Sequence, residues 1–200
     1  MRAYLFLLLF LSALSVAGQG KITSHTLHSK VLHEERFIDL YIPAGNNSCE
    51  VIYVLDGAAH FTTIVDLLKQ LARQTGDSSF TQKIIVGIGN IWQRDRDYTP
   101  THITSSPFVD NNAAKVSGGG KKFIAFLEKE LIPYINSTYR TSSRVLIGHS
   151  LGGLMVIHAL LNNTSLFSKY AAIDPSMWWD DQKLLGQAKP LLANKTFNQN

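Results

Sequence analysis

The sequence predicts an α/β fold: a mostly parallel sheet with helices on both faces and an antiparallel strand pair at its N-terminal side. Three observations predict it. Residues 51–55 (VIYVL), 83–88 (KIIVGI), 144–147 (RVLI) and 170–173 (YAAI) are short, nearly continuous apolar runs, as expected of strands buried on both faces. Between them lie stretches with apolar residues every three or four positions, the period of an amphipathic helix. The alternation of these two patterns after residue 50 reads as βαβ units, and such units build parallel sheets covered by helices.

The elements follow in order. Residues 22–29 and 36–42 alternate apolar and polar side chains, the period of half-exposed strands, and are close enough to form a hairpin. A turn-rich break at 43–48 precedes the first buried strand, which ends at Asp56-Gly57. Residues 64–71 have helical spacing, and 83–88 form the next strand. Residues 90–117, rich in Asp, Thr, Asn and Pro, are expected to be a long loop with a functional role or high mobility. Phe123, Phe126, Leu127, Leu131 and Tyr134 mark a helix that begins after three glycines. A strand at 144–147, a sharp turn at 148–152, a helix at 154–161, a strand at 170–173 and a helix at 181–192 complete the series.

The N-terminus carries its own signal. Arg2, an apolar stretch from 3 to 14 and the small residues Ser15, Ala17 and Gly18 resemble a secretory signal peptide over residues 1–18, leaving a domain over 19–200. The apolar stretch is shorter than the ~20 residues a spanning helix needs, so the mature chain is expected to be secreted or periplasmic, without a membrane span. The net charge of +4 comes from scattered residues, with no basic stripe, so the sequence gives no support to nucleic-acid binding. Cys49 is the sole cysteine and cannot form an internal disulfide. No His/Cys/Asp/Glu group has metal-site spacing, and no cofactor is expected. The SGGGKK run at 117–122 is not a phosphate loop: position 115 is Lys, not Gly, and Lys122 stands where Ser or Thr is needed. Asn46, Asn136, Asn162, Asn163 and Asn194 open glycosylation triplets, which matter only in a host that glycosylates exported proteins.

The turn Gly148-His149-Ser150-Leu151-Gly152 joins a buried strand to a helix. A serine forced into a strained conformation there exposes its hydroxyl to a cleft, and small neighbours leave room for the crossing. The N–H of Leu151, at the helix N-terminus, is free to donate to a developing oxyanion. Ser150 is therefore the candidate nucleophile. His149 is expected to diverge from it on the elbow and to pack beneath the turn.

Five ordered blocks, VIYVLDGAAHF, RDRDYTPT, SGGGKKFIAFLEKELIPYINSTYRT, LIGHSLGGL and AAIDPSMWWD, resemble the putative-esterase family of α/β-hydrolases. That family includes S-formylglutathione hydrolases, siderophore esterases, feruloyl and acetyl esterases and mycolyltransferases, and the blocks look most like its exported bacterial siderophore-esterase branch. The resemblance implies an α/β-hydrolase fold and a carboxylic ester hydrolase acting on a small-molecule ester through an acyl-enzyme. It gives Ser150 the nucleophile's role and Leu151 that of an oxyanion donor. It assigns the second donor to the loop after the first buried strand, Ala58 first and Gly57 next. Asp56, Arg94, Arg96, Asp97, Trp178 and Trp179 match positions lining or bordering the substrate cleft, and His60 is a further candidate facing it. Each has a plainer reading: Asp56 as a cap, His60 as a helix-start residue, the charged loop as solvated ion pairs and the tryptophans as core.

Family order places an acid and then a histidine after the serine. The last histidine is His158, on the helix after the elbow, and the upstream His60 and His102 would reverse that order. Asp174 ends a strand and is a candidate acid, one strand earlier than the usual position. The expectation is a C-terminally truncated chain, inactive alone, with the final strands, the acid and the histidine beyond residue 200. The alternatives are an acyltransferase to a sugar or alcohol, or a non-catalytic binding module.

Overall fold

A computed structural model describes residues 20–89 and 92–193. The signal-peptide segment 1–18, Asn90 and Asn194 lie outside the described residues. Six strands form one mixed sheet in the order β1-β2-β4-β3-β5-β6. The strands are β1 (Lys21–Ser29), β2 (Glu34–Ile42), β3 (Cys49–Val54), β4 (Lys83–Ile88), β5 (Thr141–His149) and β6 (Lys169–Ile173). β1 and β2 pair antiparallel, as the alternation predicts, and β2 runs antiparallel to β4. β4, β3, β5 and β6 are parallel. All four therefore point their carboxyl ends to one edge, where the serine turn sits.

Helices cover both faces. α1 (Gly57–Thr75) packs Phe61 and Val65 on Ile52, Val54 and Ile85. Val51, Tyr53 and Leu55 point the other way, into the larger core beneath α4 (Gly120–Phe126), α5 (Ile132–Thr138), α6 (Leu151–Asn162) and α7 (Trp179–Leu192). The two-residue period of β3 thus divides one continuous apolar run between two cores. α4 and α5 are joined by one π turn, Leu127–Leu131, just before Pro133. Proline cannot donate to the preceding turn and crowds its carbonyl, and the wider turn accommodates that misfit. The turn carries Glu130, whose carboxylate accepts from Ser29 Oγ (2.5 Å) and from the N–H groups of Lys30 (2.9 Å) and Val31 (3.1 Å), tying the helix to the β1–β2 hairpin.

The segment expected to be a long polar loop, 90–117, is partly helical. It contains α2 (Arg94–Asp97) and α3 (Asn111–Val116). Asp110 caps α3 by accepting the Asn112 N–H, and Ala114 is buried. Helical periodicity cannot be recognised in four or six residues, so tertiary contacts decide these pieces. α6 starts at Leu151, three residues before the apolar pattern predicts, because the elbow leads straight into it.

At the amino ends of the parallel strands, Glu50 accepts from Lys83 (3.0 Å), Ser143 (3.0 Å) and Lys169 (2.7 Å). Burial raises its pKa, but these donors outweigh burial and hold the carboxyl at about 2, against an ordinary 4.5. A depressed carboxylate pKa adds stability above the unfolded value, and that stability is lost as pH falls from about 4.5 through 2. Glu50→Gln is expected to flatten this part of the melting-temperature profile. The effect is on the order of 1–2 kcal/mol at neutral pH, because Lys169 is exposed and solvent screens its pair with Glu50.

Candidate active site

Ser150 lies between β5 and α6 with φ 57° and ψ −119°, a region that residues with a Cβ rarely occupy. Its neighbours hold it there. Its N–H donates to the Ile173 carbonyl (3.1 Å), and its own carbonyl accepts from Leu154 (2.9 Å) and Ser176 (3.1 Å). The crossing of strand and helix requires a glycine at position 148. A Cβ there would lie 2.4 Å from the Gly152 carbonyl oxygen, whereas a Cβ on Gly152 would find its nearest neighbour at 3.4 Å. The two glycines of the motif are thus unequal. Gly148→Ala is expected to destabilise the protein by about 2–4 kcal/mol, and Gly152→Ala by less than about 1 kcal/mol, measured by urea unfolding.

The N-termini of α1 and α6 converge at this edge. A Cβ on Gly152 would also lie 3.5 Å from Asp56 Oδ2. The Asp56 carbonyl accepts the N–H groups of Ala59 (2.9 Å) and His60 (3.1 Å), so Gly57 and Ala58, in the first turn, have no carbonyl one turn back. Leu151 is in the same position at the start of α6, with its side chain buried. Asp56 has left-handed backbone angles (φ 53°) and donates its N–H to Tyr98 Oη (2.8 Å). Its carboxylate accepts from Arg94 Nε at 3.0 and 3.1 Å. Burial pushes its pKa up, and the Arg94 charge opposes that. Arg94 also reaches the His149 carbonyl (3.5 Å), so Asp56, Arg94 and the elbow form one connected unit.

Arg96 and Asp97, read as bordering the cleft, are directed elsewhere. Asp97 is fully buried and paired with Arg36, which is 1% exposed. Arg96 bonds Asp97 Oδ1 (2.7 Å) and both carboxylate oxygens of Glu34 (2.7 and 3.0 Å). The Arg96 hydrogen bonds hold the Glu34 carboxyl below its usual range. This network fastens α2 to β2, and Asp97 cannot touch a ligand.

The two tryptophans also separate. Trp179 is core, its indole N–H donating to the Thr101 carbonyl (3.2 Å). Trp178 is 44% exposed and lies beside Phe108 (ring centroids 6.1 Å apart), at a cavity of about 550 Å³ between residues 102–108 and 178–181. His60 faces the α1 side of the sheet, edge-on to His149 (5.9 Å), at an apolar cavity of about 290 Å³. His149 is exposed and not packed beneath the turn, because its ring turns to the α1 side of the sheet, where it lines the same cavity as His60.

Among the described residues, no histidine reaches the Ser150 hydroxyl, whose partner is Ser176 Oγ at 3.2 Å. His102 is exposed and turned toward Ser117, and His158 lies on α6 beside Asn162. Asp174 is exposed at the end of β6 (φ 42°), without a described histidine on its carboxylate. Ser176 was not singled out by sequence. Its one signal was position, just after the strand neighbouring β5.

A strained serine at the turn from a parallel strand into a helix, at the carboxyl edge of a mixed sheet covered by helices, is the arrangement of an α/β-hydrolase-like fold. The model of the family described as "Putative esterase" matches residues 29–199, and the chain belongs to that family. It is 32% identical to the ferri-bacillibactin esterase BesA of Bacillus subtilis, over 73% of this chain and 51% of that protein. It is 29% identical to the siderophore enterobactin esterase of Emericella nidulans, over 75% of this chain and 54% of that protein. A solved IroE-like serine hydrolase from Shewanella oneidensis superposes with a TM-score of 0.80 at 36% identity, covering 88% of this chain and 58% of that one. The chain spans about half the length of the curated relatives it matches.

Proposed function

We propose that this chain carries the nucleophile of an exported serine esterase that cleaves a small-molecule carboxylic ester of the siderophore type. The observation that supports it most is the backbone of Ser150, held at φ 57° and ψ −119° at the carboxyl edge of the sheet. A strained conformation persists only where its surroundings enforce it, and here it sits at the edge where the N-termini of α1 and α6 converge. The siderophore class rests on what the relatives are named to cleave.

In this reading a base takes the Ser150 proton as Oγ attacks the ester carbonyl carbon. The carbonyl electron pair moves to oxygen, which the N–H groups of Leu151 and Ala58, with Gly57 beside them, receive. Collapse expels the alcohol, which takes the proton from the base, and leaves an acyl-Ser150. Water then repeats the sequence and releases the acid. We assign the base to a histidine oriented by a carboxylate, a pair that the described residues do not bring to the Ser150 hydroxyl. Asp56 and Arg94 form the wall beside the oxyanion site, and Trp178 flanks the cavity over residues 102–108.

The test is labelling of the full-length protein with a fluorophosphonate probe. Labelling should vanish in Ser150→Ala and should rise with pH through about 6.5, the ordinary range of histidine. Labelling that survives Ser150→Ala, or a wild-type protein that never labels, would overturn the proposal.

A further inference from the structure

We infer that Ser176 is a positioning residue for the Ser150 nucleophile, an inference that rests on the esterase reading above. The turn after β6 wraps the elbow at three points. The Ile173 carbonyl accepts the Ser150 N–H (3.1 Å), the Ser176 N–H donates to the Ser150 carbonyl (3.1 Å), and the two hydroxyl oxygens lie 3.2 Å apart. The packing is close enough that a Cβ on Gly153 would lie 2.9 Å from Pro175 Cα. Ser176 itself is 4% exposed, and its carbonyl is engaged by the Trp179 N–H (3.1 Å). Its hydroxyl is therefore held in place beside the nucleophile, in a setting with little water.

Chemistry decides the direction of this bond. A hydroxyl has one proton to donate and two lone pairs to accept with. During acylation the Ser150 proton leaves toward the base, so Ser150 Oγ can only accept from Ser176. The Ser176 O–H stays intact throughout. It donates to the negative charge growing on Ser150 Oγ, and in the resting protein it leaves the Ser150 proton free to face the base. A hydrogen bond to a developing charge strengthens as the charge grows, so the contribution falls on the rate of acylation and not on substrate binding.

The experiment compares Ser176→Ala, Ser176→Thr and Ser176→Cys in the full-length protein, using saturation kinetics of fluorophosphonate labelling and of ester turnover. Ser176→Ala should lower the maximal labelling rate and kcat by about three- to tenfold, with KM and the apparent pKa of the base unchanged. Ser176→Thr should recover most of the rate. Should either of these variants fail to fold, Ser176→Cys, a near isostere with a weak donor, is expected to fall between wild type and the alanine loss. Ser150→Ala in parallel tests the nucleophile itself. Loss of labelling in Ser150→Ala with wild-type rates in Ser176→Ala would overturn the positioning role alone. Labelling that persists in Ser150→Ala would overturn the esterase reading beneath it. A rise in KM with kcat unchanged would also overturn the inference, placing Ser176 in substrate binding.

Discussion

Ser150→Gly is expected to make the protein more stable and chemically silent. At φ 57° and ψ −119° a side chain costs on the order of 1–3 kcal/mol, and glycine occupies positive φ without that penalty. Glycine also gives the unfolded chain more freedom to lose, which offsets part of the gain. The net expectation is a stabilisation of about 1 kcal/mol by chemical denaturation. Ser150→Ala keeps the Cβ and the strain and, like Ser150→Gly, loses the Ser176 contact, so it should be the less stable of the two variants. On the proposed esterase reading, both variants should lose ester turnover by a factor of ~10⁴ or more, because the hydroxyl assigned as nucleophile is absent in each. The contrast between the two separates strain from chemistry. An equal effect of both variants on stability would mean that the backbone at Ser150 is not under load.

Asp97→Ala is expected to be the most destabilising single change, by about 3–5 kcal/mol in urea unfolding. The cost arises from what remains. Arg36 is 1% exposed, its guanidinium lying between Glu34, Asp97 and the rings of Phe123 and Phe126, each 5.6 Å from their centroids. Removing Asp97 takes a counter-charge from an arginine that cannot reach water. Arg96→Ala should cost only about 1 kcal/mol, since its side chain is one-third exposed and solvent screens its pairs. A second consequence concerns the cleft. Asp97 anchors α2, and α2 presents Arg94 to Asp56. Asp97→Ala should therefore weaken the wall beside the elbow as well as the fold, seen as faster proteolysis near residue 94 before global unfolding.

Much of the fold was legible because its signals are local. A buried parallel strand needs a continuous apolar run, and the four predicted runs coincide with β3, β4, β5 and β6. The antiparallel hairpin was legible from its two-residue alternation. The elbow was legible because a serine two residues after a glycine, between a strand and a helix, states a steric requirement at Gly148 that no partner elsewhere in the chain is needed to read. The short helices α2 and α3 were not legible, since a single turn has no period and is stabilised by contacts far away in sequence.

The site shows the same division. In the run Arg94-Asp95-Arg96-Asp97, alternating charges gave no indication of which side chain faces which neighbour. One helical turn sends Arg94 to Asp56 and Asp97 to Arg36, 61 residues away. The adjacent tryptophans likewise took opposite environments, Trp179 in the core and Trp178 at the surface. Ser176 carries no motif at all, and it meets Ser150 only because β5 and β6 are parallel neighbours whose carboxyl ends turn toward each other. The strands of the sheet, the turn that strains Ser150 and the glycine that permits it follow from local sequence, because steric and periodic constraints act over a few residues. Which charges are buried, which aromatic ring is exposed and which hydroxyl stands beside Ser150 were settled by packing, because these depend on surfaces brought together from distant parts of the chain.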